Sequence, residues 1–156
     1  MKLITISGCR GAGKTQILKR IQEAFPIVRC VERNGHPFGM VQDSLAGSAQ
    51  VAMEVSPQEA RTLDLLTEKG DKTLRIFIRA SLAERERRLR EMFPDYKRRV
   101  IQAWLREDPA AQFPRLLQHP IFHLVYANEE GQLEFTAQKV IRTVVIFLQE
   151  APTISI

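Results

Sequence analysis

Long apolar runs are missing from this chain: no stretch approaches the ~20 residues that a bilayer-spanning helix needs, which excludes a helical membrane protein. Cysteine is scarce as well. Cys9 and Cys30 are the only two, and they supply neither a disulfide framework nor a metal-ligand spacing. The three histidines, His36, His119 and His123, have no Cys or acidic neighbour at a ligand spacing and read as surface or packing residues. No basic patch interleaved with aromatics is present, nor any common nucleic-acid motif. Nucleic acid is therefore the minority partner, although 23 Lys/Arg outnumber 18 Asp/Glu for a net charge of +5. That excess agrees with an anionic ligand without saying which one. Repeats, low-complexity segments and linkers are absent too. Strand-like residues begin at Leu3, leaving no room for a signal peptide. With Cys9 inside a glycine-rich loop, the expected compartment is the reducing cytoplasm. Nothing in the sequence bears on oligomeric state.

What the chain does contain is 44% hydrophobic and 26% charged residues over 156 positions, enough for a single domain with one substantial core. Its organising stretch is Gly8-Cys9-Arg10-Gly11-Ala12-Gly13-Lys14-Thr15, which fits G-x-x-x-x-G-K-[ST] at every fixed position. The flanks suit it: apolar Leu3, Ile4 and Ile6 precede it as a strand, and Ile17, Leu18 and Ile21 follow at helical spacing. Such a loop aims successive backbone N–H groups into a concavity at a helix N-terminus, where phosphate is favoured. Glycine at the fixed positions permits the close backbone approach that a side chain would obstruct. Lys14 is placed to reach the β- and γ-phosphates of a nucleotide, and the Thr15 hydroxyl to coordinate Mg²⁺. Cys9, Arg10 and Ala12 complete the cradle. Arg10 either touches a phosphate or points to solvent.

Downstream, periodicity predicts helices over Lys14–Ala24 and Leu82–Met92, and a last one over residues 133–148. Strands are expected at 27–31, 50–55, 74–78 and 121–126. Ser56-Pro57-Gln58-Glu59 and Ser81 with Glu84 read as capping boxes, and Asp95 as the cap of another helix. Short helical stretches are expected at 41–46 and around Phe113, Leu116 and Leu117. Strands alternating with helices predict an α/β fold of the P-loop NTPase type: a five-stranded parallel sheet flanked by helices in three layers. One domain spans 1–150, followed by a loosely attached tail at 151–156. Ligands of such sheets bind beyond the carboxyl ends of the strands, where the loop lies.

The chain also resembles the guanylate kinase family within the P-loop nucleoside monophosphate kinases. The opening Ile4-Thr5-Ile6-Ser7-Gly8 through Lys14-Thr15-Gln16-Ile17-Leu18 is similar to the family's first strand, loop and helix. Asn34-Gly35-His36-Pro37-Phe38-Gly39 resembles S-G-x-x-Y-G, and Met53-Glu54-Val55-Ser56-Pro57-Gln58 resembles L-D-I/V-D-x-Q-G. Ile76-Phe77-Ile78, Ser81-Leu82 and Arg88-Leu89-Arg90 resemble I-F-I-x-P-P-S followed by R-L-x-x-R, and residues 121–130 resemble the closing F-D-x-V-I-x-N-D-D. The matches run in the family's order from residue 3 to about 147. The acceptor side departs from the pattern: most of the segment that forms the monophosphate-binding domain is missing, Phe38 lacks the expected tyrosine hydroxyl, and Met40 replaces a small hydroxyl residue.

The resemblance implies ATP-dependent phosphoryl transfer to a nucleoside or deoxynucleoside monophosphate, with Mg²⁺. The alternatives are an ATP- or GTP-binding module without efficient transfer, and a small P-loop NTPase. It implies a short lid at about 85–100, hinged at Met92-Phe93-Pro94-Asp95, whose arginines reach the transferring group. Family position points to Arg88 and Arg99 as catalytic. The competing account of those arginines is a solvated helix face paired with Glu84, Glu86 and Glu91. Phe38 and Glu54 are the acceptor-side residues. Glu54 either orients Mg²⁺ through water or an acceptor base, or makes a structural ion pair with Arg61 or Arg10. Asn128 corresponds to the family asparagine near the adenine, or simply to the turn before the last helix.

Overall fold

The computed structural model describes residues 1–32, 47–57, 59–60, 72–107 and 122–150. The segment around Phe38, Arg61, the short stretches at 41–46 and 113–117, and the tail at 151–156 lie outside the described residues. The element order is β1 (Lys2–Gly8), α1 (Lys14–Ala24), β2 (Arg29–Val31), β3 (Gln50–Glu54), β4 (Lys72–Arg79), α2 (Leu82–Met92), α3 (Arg98–Glu107), β5 (Leu124–Ala127) and α4 (Leu133–Gln149).

Strand β1 runs Leu-Ile-Thr-Ile-Ser between Lys2 and Gly8 and is buried at every residue from Leu3 on. A strand covered on both faces has to read this way, and only parallel sheets in α/β folds routinely meet the condition. Accordingly β1 is central. It pairs in parallel with β3 through Leu3↔Val51 and Ile6↔Glu54, and with β4 through Ile6↔Ile76 and Gly8↔Ile78. The sheet order is β2-β3-β1-β4-β5 with every pairing parallel.

The pleat sends Ile4 and Ile6 to one face, where Ile17, Leu18 and Ile21 of α1 meet Ala137, Val140, Val144 and Phe147 of α4. Each such aliphatic side chain, fully removed from water, contributes roughly 1.5–3 kcal/mol relative to exposure. Leu3 faces the other way, onto Val51, Met53, Val55 and Ala60, with Phe122 packed against them. The ring of Phe122 is 4.9 Å from that of Phe77. A third, separate cluster joins α2 to α3: Leu89, Ile101 and Leu105, with Phe93 and Trp104 against them. The three-layer α/β/α arrangement expected from the alternation is the one observed.

Helices α1 and α2 begin and end where the periodicity puts them. Other boundaries move. Strand β2 starts at Arg29 rather than at residue 27, because the Val28 N–H turns back to the Phe25 carbonyl (2.9 Å) and Ile27 is left 80% exposed. Strand β4 is longer than expected, since β1 offers it partners from Lys2 to Gly8. Strand β5 occupies 124–127, and the expected cap Asp95 does not open α3. Pro94 to Tyr96 form a turn instead, the Tyr96 N–H reaching the Phe93 carbonyl at 3.1 Å, and the helix starts at Arg98.

The first capping box is complete: Ser56 Oγ accepts from the Glu59 N–H (3.2 Å) and Glu59 accepts from the Ser56 N–H (2.8 Å). The second is remade. Ser81 Oγ accepts from the Glu84 N–H, but the Ser81 N–H and hydroxyl both donate to Glu129, at 2.8 and 2.9 Å. The start of α2 is thereby pinned to the turn before α4. At the opposite end of the sheet, the Lys2 ammonium donates to the carbonyls of Phe147, Leu148 and Glu150 at 3.1, 2.6 and 2.6 Å. Those are the terminal acceptors of α4, which have no intrahelical partner.

Candidate functional site

The loop leaves the carboxyl end of β1 and closes on α1 with Gly13 as the N-cap, in the left-handed region at φ 92° and with no side-chain capping bond. The first turn of α1 therefore presents its amides without a competing internal acceptor, the arrangement that favours an anion. Ile17 is the residue whose N–H bonds back to Gly13, at 3.1 Å. Below the loop, Gly8 lies so close to β4 that a Cβ there would stand 2.3 Å from the Ile78 carbonyl oxygen.

Lys14 is 13% exposed and lies along the loop, donating to the Cys9 carbonyl (3.1 Å) and pairing with Glu54 Oε1 (3.3 Å). Of the alternatives for Glu54, the observed ion-pair partner is thus Lys14; Arg61 lies outside the described residues. Glu54 ends β3, in register with Ile6 of β1, which puts its carboxylate beside the loop at the edge of the strand ends. Thr15, second residue of α1, is half-buried.

Asn128 is buried. Its Nδ2 donates to the Ala12 carbonyl at 2.9 Å, and a Cβ on Gly13 would meet that nitrogen at 2.4 Å. Its Oδ1 is buried without a hydrogen-bond partner. Arg88 binds the same assembly from α2, donating to the carbonyls of Gly11 (3.2 Å), Asn128 (2.7 Å) and Glu129 (3.2 Å). Its Nε donates to Glu84 at 2.7 Å. In this structure Arg88 ties the loop to the turn before α4. Arg99 is exposed in the first turn of α3. Arg10 is exposed and lies over the Trp104 ring, 4.8 Å from its centroid. The fold brings Lys14, Glu54, Arg88 and Asn128 together around the loop; Arg99 is exposed on α3, and Phe38 lies outside the described residues.

Sequence reasoning missed Glu84 as a structural acid. It is 7% exposed and accepts from Nε and Nη2 of Arg87 (2.9 and 2.7 Å) as well as from Arg88. The i,i+3 and i,i+4 spacings were visible, but not that the carboxylate is buried. Hydrogen bonds from Arg87, aided by the charge of Arg88, hold the Glu84 carboxyl below the usual glutamate value. A depressed folded value means stability that is present above the unfolded pKa and lost as pH falls through the folded one. We expect the denaturant midpoint of the native chain to drop below about pH 4. In Glu84→Gln that drop should flatten, with stability at pH 7 lower by about 1–2 kcal/mol; urea titrations at several pH values check it. Burial pushes the Cys30 thiol up to about 11, so it is no nucleophile at neutral pH.

A cavity of about 260 Å³ lies beyond the carboxyl end of β4, lined by Cys9, Phe77, Arg79, Ala80, Ser81, Arg85 and Glu129. It sits between the loops that leave the adjacent strands β1 and β4, beyond the carboxyl ends of the strands, where sheets of this type hold ligands.

The fold is the three-layer α/β/α arrangement of P-loop NTPases. No family model matches the sequence, and no curated protein matches it; the likeness is in structure. A shikimate kinase from Acinetobacter baumannii in complex with shikimate superposes at a TM-score of 0.63 and 12% identity, covering 95% of this chain and 95% of that one. The YorR protein of Bacillus subtilis, in complex with phosphorylated GDP, gives 0.61 at 14% identity, covering 96% and 99%. The Deinococcus radiodurans tunicamycin resistance protein gives 0.55 at 18%, covering 92% and 95%. The likeness is one of fold, and it does not reach guanylate kinases in particular. Among the described residues, no helix is long and apolar enough to cross a membrane.

The residues around this loop fit a nucleotide with Mg²⁺. Uncapped amides and Lys14 suit the phosphates, and the orphaned Asn128 Oδ1 offers a buried acceptor beside Gly13. The Thr15 hydroxyl and the Glu54 carboxylate are hard oxygen donors of the number Mg²⁺ takes from a protein when phosphates supply the rest. Among the described residues no three His, Cys, Asp or Glu stand together to hold a metal by themselves.

Proposed function

We propose that this chain is an ATP-dependent phosphotransferase acting on a small acceptor, a nucleoside or deoxynucleoside monophosphate. One observation carries the reading. The first turn of α1 is left without a side-chain cap, and Lys14 is held over the loop by Glu54 and the Cys9 carbonyl.

In this reading the loop amides and Lys14 hold the donor's phosphates, and Thr15 with Glu54 hold Mg²⁺. When bound, the ion screens charge between the phosphates. Lys14 exchanges Glu54 for phosphate oxygens, and the released carboxylate would turn to the ion. Phosphoryl transfer asks the protein for positioning and charge stabilisation rather than covalent chemistry, and this set provides both. Arg88 acts by fixing the loop against Asn128 and Glu129, while Arg99, exposed at the start of α3, is the lid cation for the transferring group. Segment 85–100 is the lid. The structural neighbours are described with shikimate and with phosphorylated GDP, so shikimate and GDP belong among the acceptors tested.

A binding module without efficient transfer is the second reading. The engagement of Arg88 with three backbone carbonyls favours it, because that cation is turned away from chemistry. The deciding assay incubates the protein with ATP and Mg²⁺, adding each monophosphate, GDP or shikimate separately, and follows ADP. We expect ADP to form only with an acceptor. Turnover without acceptor would point to an NTPase, and binding without turnover to the module.

A further inference from the structure

The cavity beyond the carboxyl end of β4 touches the phosphate loop at Cys9 and the start of α2 at Ser81 and Arg85. Its floor is apolar, made by the ring of Phe77, which is fully buried. Its walls carry charge. Arg79, the last residue of β4, shares the face of Phe77 two residues earlier. It is exposed, and its guanidinium has no hydrogen bond or ion pair among the described residues. Arg85 brings a second guanidinium from α2 and is 4% exposed. The acid of the lining, Glu129, is committed on both oxygens: Oε1 accepts from the Ser81 N–H at 2.8 Å and Oε2 from its hydroxyl at 2.9 Å. Beside the floor, Ser7 stands level with Phe77 in the β1–β4 register. It is fully buried, and its Oγ has no hydrogen-bond partner among the described residues, an exception to the usual pairing of buried polar groups. The volume of about 260 Å³ lies below the roughly 300–1,000 Å³ of pockets that enclose a whole drug-sized ligand. Such a space takes a small acid, or one end of a nucleotide, rather than base, sugar and phosphate together.

We infer that this cavity seats the anionic group of the phosphoryl acceptor, with Arg79 as the residue that selects for it. The inference rests on the chain being a phosphotransferase. It puts acceptor recognition on the β4 side of the loop, whereas Glu54 stands on the β3 side, across the central strand. An anionic acceptor brought beside a donor polyphosphate is repelled by it, and the more strongly as water is excluded. Cations next to the loop offset that repulsion, and the cavity provides them. A guanidinium makes paired, charge-assisted bonds to phosphate and to carboxylate alike. The ligand class is therefore an acceptor carrying an oxyanion, either a monophosphate or a small carboxylic acid. A neutral acceptor gains nothing from Arg79.

Calorimetry on the full chain, saturated with ADP and Mg²⁺, compares GMP with guanosine and shikimate with its methyl ester. The native chain is expected to bind the charged member of one pair about tenfold more tightly. Arg79→Ala should close that gap, and Arg79→Lys should recover part of it. The two pairs separate a phosphate from a carboxylate as the group held. In the ADP assay Arg79→Ala should raise the acceptor KM by a similar factor while the KM of ATP stays in place, the mark of a group that binds acceptor and not donor. A direct reading comes from the Arg79 Nε–H resonance, assigned by its loss in Arg79→Ala and followed as inorganic phosphate is added to the chain holding ADP and Mg²⁺. It should move in the native chain and stay still in Ala80→Leu, which narrows the cavity and keeps both arginines. A resonance that moves equally in Ala80→Leu would overturn the inference, by showing an anion on the surface and not in the cavity. Acceptor-dependent ADP with an acceptor KM unmoved in Arg79→Ala would overturn it as well and leave the phosphotransferase standing. Phosphate sensed in the native chain and not in Ala80→Leu, with no acceptor turned over, would keep the anion site and remove both the phosphotransferase and the acceptor's place in it.

Discussion

Replacing Lys14 with alanine is expected to lower phosphoryl transfer by about a hundred- to a thousandfold, the usual consequence of removing one charge-stabilising donor from a water-poor site. The fold should barely notice. Lys14 is one partner of a half-buried pair whose other member, Glu54, is 28% exposed and keeps its access to water. The pair belongs with surface salt bridges, worth at most about 1 kcal/mol. Loss of the 3.1 Å bond to the Cys9 carbonyl removes a tether that an unliganded loop does not need in order to stay closed, because Arg88 and Asn128 hold the Gly11 and Ala12 carbonyls from the other side. The measurement pairs initial rates of ADP formation with a urea midpoint. Activity falling in step with stability would show that Lys14 supports the fold instead, and would remove the main support for the proposed role.

Gly8→Ala should do the reverse. The added methyl would lie 2.3 Å from the Ile78 carbonyl oxygen. Neither partner can yield, since both are backbone and Gly8 and Ile78 are paired across the central strands. Either β1 and β4 part at their carboxyl ends or the loop is displaced. The expected loss is about 3 kcal/mol or more, at the upper end of overpacking costs and a large share of the 5–15 kcal/mol that holds a domain folded. Gly131 makes the control. A Cβ there meets nothing within 4 Å, and only its φ of 70° resists substitution, so Gly131→Ala should cost about 1–2 kcal/mol. Denaturant melts of the two variants separate crowding from backbone conformation.

Local chemistry was the legible part of this chain. Helix α1 was readable because its apolar positions, Ile17, Leu18 and Ile21, and the glycines before it are neighbours in sequence. The Ser56–Glu59 box was readable for the same reason. Ser81 looked identical to Ser56, yet its box is remade because a stronger claim exists on Glu84: two arginines one turn further along the same helix. The vacated place is taken by Glu129, which no pattern near Ser81 announces. Alternation predicted a parallel sheet but not its order, which depends on which strands meet β1 from either side. Arg10 and Trp104 escaped for a similar reason. They are joined only after α3 has folded back over the loop, and nothing in either neighbourhood marks the other.

The central place of β1 also constrains how the chain can fold. Its partners in the sheet lie around residues 50–54 and 72–78, on opposite sides. A ribosome makes Leu3, Ile4 and Ile6 long before anything exists to cover them, and contacts this distant in sequence form late and slowly. The phosphate loop is thus synthesised before its partners and is among the last segments to take shape, since Gly8 is fixed by Ile78 and Gly13 abuts Asn128. An unfinished chain would carry an exposed, β-prone apolar strand and no site, a state in which aggregation competes with completion.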